Sequence, residues 1–285
     1  MGHAVVRTRA LAGVDSPAVE VEVDLAGGLP SLAIVGLPEA AVKEAKDRVR
    51  SALVNSGFDF PTARVTVNLA PADLPKEGGR YDLPIALGVL AASGQLPAEA
   101  LAGWVLLGEL TLDGRLRPVH GALAAALAID EPDQALLVPS SNAPEAAVAG
   151  TASVHGADSL TAVTAFLRGQ TELAPAVPGA PPQHHPPDLA DVRGQAPAKR
   201  ALEVAAAGGH GLLLSGPPGA GKTLLARCLP GILPTLDPSA QVEVAKIRSV
   251  RGERISGLDP HPPFRDPHHS ASLPALVGGG CELQE

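Results

Sequence analysis

Residues 210–223 read His210-Gly211-Leu212-Leu213-Leu214-Ser215-Gly216-Pro217-Pro218-Gly219-Ala220-Gly221-Lys222-Thr223. The last eight match G-x-x-x-x-G-K-[ST], a loop that cradles phosphate groups. Glycines let successive backbone N–H groups turn inward on an anion, and the helix that follows adds the positive end of its dipole. The flanks suit this role: His210 to Ser215 reads as a short buried strand, and Thr223 to Leu229 as an amphipathic helix stopped by Pro230. On this reading the backbone from Gly216 to Gly221 wraps the phosphates of ATP. Lys222 is the catalytic cation against the β- and γ-phosphates, and the Thr223 hydroxyl ligates Mg²⁺. Nucleotide binding is the strongest functional statement these residues support.

Working outward, a helix is expected from Pro197 to Ala207, stopped by Gly208-Gly209. Before it, Thr171 to Asp188 carries prolines at 175, 178, 181, 182, 186 and 187, a composition that favours an extended linker. Three segments follow: a domain over 1–170, a linker over 171–188 and a second domain over 189–285. Downstream of the loop, Lys246, Arg248, Arg251 and Arg254 cluster, broken only by Glu253. They are expected to form a basic flexible segment and are the candidates for contact with nucleic acid. His184-His185, adjacent in a proline-rich tether, are expected to be solvated, and His268-His269 with Cys281 lack the spacing of a zinc site.

The first domain alternates strands and helices. Ala18 to Leu25 alternates apolar and acidic residues, which turns Val19, Val21, Val23 and Leu25 inward. After an apolar stretch at Leu32 to Val35, a helix to about Ser56 repeats Val42, Ala45, Val49 and Leu53 at helical spacing. A strand follows at Arg64 to Leu69, then a turn-rich loop and a helix from Asp82 with Pro84 in its first turn. Trp104 to Leu112 and Arg115 to Val119 flank Asp113-Gly114, which predicts a tight two-residue hairpin. Helices at 123–129, 143–149 and 159–168 and strands at 135–138 and around Ser153-Val154 complete an α/β pattern.

With 285 residues and 45% hydrophobic content, two cores are affordable, and with 2% aromatics they must be built from aliphatic side chains. No apolar run approaches the roughly 18 residues of a membrane span, and the N-terminus lacks an apolar leader, so no membrane association and a cytoplasmic location are expected. Cys228 falls on the apolar side of its helix and is expected to be buried. Residues 1–170 hold 12 Lys+Arg against 19 Asp+Glu, and 171–285 hold 10 against 11. That balance argues against a broad phosphate-binding face on the first domain and leaves the second open.

Several runs resemble one family. Ile34-Val35-Gly36-Leu37-Pro38, Asn55-Ser56-Gly57-Phe58, Val67 to Gly78 and Asp82-Leu83-Pro84-Ile85-Ala86-Leu87 resemble the N-terminal domain of the YifB/ComM magnesium-chelatase-like AAA+ ATPases. Asp191-Val192-Arg193-Gly194-Gln195, the Walker A loop at 216–223 and Pro267 to Gly280 resemble that family's ATPase domain in the same order. The resemblance implies an α/β first domain similar to the proteolytic domain of Lon and an ATPase that self-associates into a ring, a hexamer. It also implies DNA as a partner, through branch migration in natural transformation. The Lon pattern laid on Pro75 to Asp82 puts Arg80 where its serine stands, and Leu123 falls at the lysine position. Both dyad members are absent, so no peptidase is expected; Lys76 of the same pattern is read as a surface lysine in a turn. After Gly280 the chain reads Cys281-Glu282-Leu283-Gln284-Glu285, where the family continues to a Walker B strand ending Leu-Asp-Glu. The expectation is a shortened or frame-disrupted ATPase that binds nucleotide and hydrolyses it poorly. An ATPase partner for metal insertion into a tetrapyrrole and a purely nucleotide-binding remnant stand as the other readings.

Overall fold

The computed structural model describes residues 2–182, 186–268 and 270–274. They form two compact units: 1–180 with 246–257, and 181–245 with the described residues from 258 on. The first unit holds strands β1 (Gly2–Arg9), β2 (Ala18–Ala26), β3 (Ser31–Val35), β4 (Arg64–Ala70), β5 (Trp104–Leu106), β6 (Glu109–Leu110), β7 (Leu116–Arg117), β8 (Ala135–Pro139) and β9 (Ser153–Ala157). Seven of them make one sheet in the order β3-β4-β2-β1-β5-β8-β9. The pairings are parallel except β4–β2 and β2–β1. The fold is thus mixed α/β around a mostly parallel sheet.

Side-chain alternation explains the two halves of this sheet. In β1, β2 and β4, Val6, Val21, Val23, Val67 and Leu69 are buried, while Glu20, Asp24 and Arg7 face water. The register aligns Val6 with Val21 and Val23 with Val67, so the inward rows form one apolar surface. Helices α1 (Ala40–Asn55) and α2 (Asp82–Ala92) cover it. Val42, Ala45, Val49 and Leu53 of α1 are wholly buried, as their spacing predicts. Every residue of α2 is buried, which is why its sequence has no polar face. Strands β5 and β8 are buried on both sides, and β9 in part. Leu106 and Leu137 join the core under α1 and α2, and Val105, Leu136, Val138 and Val154 join a second core with α3 (Ala122–Leu127) and α4 (Ala143–Ala147). Helix α5 (Leu160–Leu167) follows β9, its first turn capped by Ser159 Oγ accepting from Ala162 N–H at 3.2 Å.

Three expectations are corrected here. Sequence reading began the sheet at Ala18 and missed β1, whose inward row ends in Thr8; that buried hydroxyl is satisfied by donating to Leu106 O at 2.7 Å. The strand at Trp104 to Leu112 is broken, because β5 joins the main sheet and only β6 and β7 pair as a hairpin. Its loop is five residues, not two: Glu109 faces Arg117, Leu110 faces Leu116, and Thr111 N–H bonds Arg115 O at 2.9 Å. The proline-rich stretch also does not leave the first unit at 171. His155 Nδ1 donates to Leu173 O at 2.8 Å and Ala176 N–H to Val154 O at 2.7 Å, which lays residues 173–176 along the free edge of β9.

The second unit packs α6 (Ala196–Gly208) and α7 (Lys222–Ile232) with the turn at Leu189–Asp191 around Leu189, Val192, Leu202, Leu225 and Cys228. Cys228 is buried as expected, and burial, then Asp188 and Asp191, push its thiol up. Helix α7 does not stop before Pro230. It runs two residues further, because a proline in the last turn forfeits only one backbone bond. Helix α8 (Pro238–Val250) begins in this unit, and its last turn, from Lys246, belongs to the first.

Candidate functional site

The segment 210–215 is not a strand. It carries no ladder, and Leu213 is 90% exposed. Among the described residues no strand lies beside it, and a strand needs neighbours to satisfy its backbone and cover its side chains.

The glycine loop has a defined shape nonetheless. Gly219 and Gly221 sit at φ +79° and +83°, where a side chain is disfavoured, and a Cβ at either would meet nothing within 4 Å. Backbone angle, not crowding, is what requires glycine there. Gly221 caps α7 without any side-chain bond, so the N–H groups of the first turn of this 11-residue helix, Lys222 and Thr223 included, have no side-chain partner from their own cap. Ala220 N–H bonds Pro217 O at 3.4 Å. Lys222 Nζ donates to Gly216 O and Pro217 O, both at 2.8 Å, which lays the ammonium across the loop. Thr223 is exposed on the first turn.

Sequence reading gave no role to Gln195, and the structure supplies one. Gln195 holds φ +55° and donates its side-chain amide to Ala220 O at 3.2 Å, tying the start of α6 to the loop. The signal was its place in Asp191-Val192-Arg193-Gly194-Gln195, which points at no partner without the fold. On the far side Arg227 of α7 pairs with Asp266 at 2.9 Å, an exposed pair.

This donor set fits a phosphate: backbone N–H groups at a helix start, a cation in the loop and no carboxylate bonded to it. For Mg²⁺ the loop offers the Thr223 hydroxyl. Among the described residues no three His, Cys, Asp or Glu side chains form a metal cage. His184, His185, His269 and Cys281 lie outside the described residues.

The basic cluster is not a flexible segment. Lys246 and Arg248 lie on α8; Lys246 pairs with Asp15 at 2.9 Å, and Arg248 and Arg251 pair with Glu253 at 3.8 and 3.5 Å. Helix propensity and nearby acids order what the charge run alone suggests is loose. Arg254 is exposed. Lys76 is no surface lysine either. It is wholly buried, donates to Pro71 O, and burial lowers its pKa. Arg80 is 4% exposed and donates to His120 O at 2.5 Å and Arg9 O at 3.4 Å, and Leu123 is wholly buried. Among the described residues no helix is long and apolar enough to cross a membrane.

Comparison with known proteins places both units. Residues 21–142 match a family model described as subunit ChlI of Mg-chelatase, and residues 188–285 match one described as magnesium chelatase, subunit ChlI. The chain is 50% identical over 283 residues to the uncharacterized protein YifB of Salmonella typhimurium, covering 99% of this chain and 56% of that one. It is 48% identical over 287 residues to the competence protein ComM of Haemophilus influenzae, covering 98% and 56%. An uncharacterized protein of Mycobacterium tuberculosis is 49% identical over 279 residues, covering 96% and 55%. The chain therefore spans a little over half the length of these relatives.

Proposed function

Because the chain belongs to the YifB/ComM family of magnesium-chelatase-like proteins, we propose that its second unit binds ATP with Mg²⁺ through the Walker A loop Gly216 to Thr223. The observation that carries the reading is the conformation of that loop: two left-handed glycines leading into an uncapped helix start, with Lys222 laid over the loop carbonyls. A phosphate competes with Gly216 O and Pro217 O for the ammonium, and the first-turn N–H groups add the neutral donors. Thr223 supplies one oxygen to the metal, which neutralises phosphate charge when bound.

We further propose that a full-length protein of this family uses that nucleotide in a hexameric ring to remodel DNA by branch migration during natural transformation. The likeness to a competence protein over nearly all of this chain supports DNA over metal insertion. Of the four cations, Arg251 and Arg254 are exposed and are the ones assigned to DNA. The first unit is read as a scaffold of the Lon-domain class without peptidase chemistry: a buried guanidinium at 80 and a buried leucine at 123 supply neither hydroxyl nor base.

The test is titration of the full chain with a fluorescent ATP analogue and Mg²⁺. Lys222→Ala is expected to weaken binding by about tenfold or more, since it removes a charge-assisted contact worth about 1.5–3 kcal/mol. Equal affinity in wild type and variant would remove the loop from the nucleotide site.

A further inference from the structure

We propose that the free edge of β3 is a docking site for an extended acidic segment of a partner protein, which adds a strand to the sheet and lays its carboxylates against Lys43, Lys46 and Arg50 of α1. The site lies wholly in the first unit and does not depend on the nucleotide reading. The seven-stranded sheet ends in β9 on one side and in β3 on the other. Residues 173–176 lie along β9, whereas among the described residues no strand pairs with the outer side of β3. Ser31 N–H donates to Ala63 O at 3.3 Å, so Ser31 and, at the strand period of two, Ala33 and Val35 turn their backbone groups to β4. Leu32 and Ile34 therefore turn their N–H and C=O groups to the open side. Natural edges are commonly guarded by a charge, a proline or a bulge within the strand, and Ser31–Val35 has none of these.

The charge that matters sits above the edge, on α1. Helix α2 packs on β1 and β2, and α1 packs beside it against β3. Arg48 marks the side of α1 that faces α2, because it donates to Asp82 at 2.8 Å. At about 100° per residue, Lys46 and Arg50 lie about 200° round the helix from Arg48, on the side away from α2, and Lys43 falls beside them. All three are exposed, and among the described residues none pairs with a carboxylate. Arg50 stacks over the Phe60 ring at 5.1 Å, which holds its guanidinium in place. Glu44, four residues before Arg48, lies on the α2 side, and Asp47 lies between the two sides. The cations thus form a row over the open edge.

That row selects the occupant. The β3 of a second copy, added antiparallel with both helices on one face, sets the cations against themselves, and like charges across a strand pair repel. A strand carrying carboxylates fits instead. On its helix side, alternate residues meet the row, which spans about 10 Å along α1, the reach of two or three side chains spaced about 6.8 Å apart on a strand. On its other side, the remaining residues lie beside Ala33 and Val35, both exposed, the valine at 45%. The occupant therefore alternates acidic and apolar residues. Gly36 bounds the site, because it leaves the strand at φ +98° where a Cβ would run into Leu69 O.

Fluorescence anisotropy of the full chain at low salt tests this with a labelled Val-Glu-Val-Glu-Val-Glu-Val peptide. Saturable binding is expected, and Lys43→Glu combined with Lys46→Glu should weaken it by about tenfold or more, because two charge-assisted contacts become repulsions. Ile34→Pro, which takes an N–H off the open side where an edge tolerates proline, should weaken it as much, and so should N-methylation of alternate peptide residues. If Ile34→Pro does not fold, the exposed charge variant and the N-methylated peptide still decide. The same peptide with lysine for glutamate should not bind. Absence of binding by the acidic peptide overturns the proposal, as does undiminished binding by the N-methylated peptide, the lysine peptide or the charge variant. Single-stranded DNA that binds more tightly than the peptide, and is lost in the charge variant but kept in Ile34→Pro, assigns the row to phosphate and overturns it too. Concentration-dependent dimers that vanish in Ile34→Pro overturn it in favour of a second copy.

Discussion

Asp82 begins α2 with no exposure at all, and its surroundings pull its carboxyl in two directions. Burial raises its pKa to about 6, against the Arg48 guanidinium, which donates at 2.8 and 3.1 Å, and Leu110 N–H at 3.1 Å. Arg48 gains from the same pair, because its own side chain is partly in water and the desolvation falls on the aspartate. A folded pKa above the ordinary 3.8 means that this group favours folding below about pH 4 and loses that favour as pH rises to about 6. Asp82→Asn removes the titration, so the stability of wild type minus variant should fall by about 3 kcal/mol between pH 4 and pH 7 in urea unfolding. A difference independent of pH would contradict the assignment. Lys76 makes a simpler case: burial outweighs the nearby charge of Asp73, and the ammonium donates to Pro71 O, so it recovers little of its desolvation and Lys76→Met should shift the unfolding free energy by no more than about 1 kcal/mol, or raise it. A loss of several kcal/mol would show that the ammonium has a stronger partner. Neither burial was legible beforehand. Asp82 reads as a helix start and Lys76 as part of a turn; only the fold brings Arg48 of α1 and Leu110 of β6 onto Asp82, and Pro38 and Pro71 beside Lys76.

At the scale of elements, legibility follows how local the cause is. The helices announced themselves by spacing within one segment, as Val42, Ala45, Val49 and Leu53 show, and the loop at 216–223 by contiguous residues whose backbone demands are their own. Gly221→Ala is a matching test: the side chain meets no atom, so only the left-handed backbone resists, and the second unit should lose about 1 kcal/mol in unfolding. A loss several times larger would reveal a packed loop. Elements defined by partners were harder to read. Leu212 to Leu214 has the composition of a strand, but a strand is a relation between segments, and none of the described residues supplies the other half. The run from Lys246 to Arg254 looked loose because one acid, Glu253, serves both Arg248 and Arg251, and the acid that holds Lys246, Asp15, lies more than two hundred residues away.

At the scale of the whole molecule, charge sets the terms for any nucleic-acid partner. The formal charge of −8 resides almost wholly in the first 170 residues, so DNA has to approach a restricted surface. If Arg251 and Arg254 supply phosphate contacts, neutralising both should weaken DNA binding and flatten the slope of log K against log salt by about 2. An unchanged slope in a filter-binding or anisotropy series would move the contacts elsewhere. The run of prolines does not reveal that residues 173–176 are held along β9, because that hold comes from His155 and Val154 rather than from anything in their own composition.

The return of 246–257 to the first unit also orders events during synthesis. A ribosome finishes the sheet, the helices and the surroundings of Glu145 long before it makes Ser249, whose Oγ donates to that carboxylate at 2.9 Å. Until then a buried carboxylate waits for one of its donors, and the entire segment carrying Gly216 to Thr223 has to emerge in between. The first unit therefore closes only after the loop at 216–223 has been made, while residues of the second unit from 258 on are still to follow.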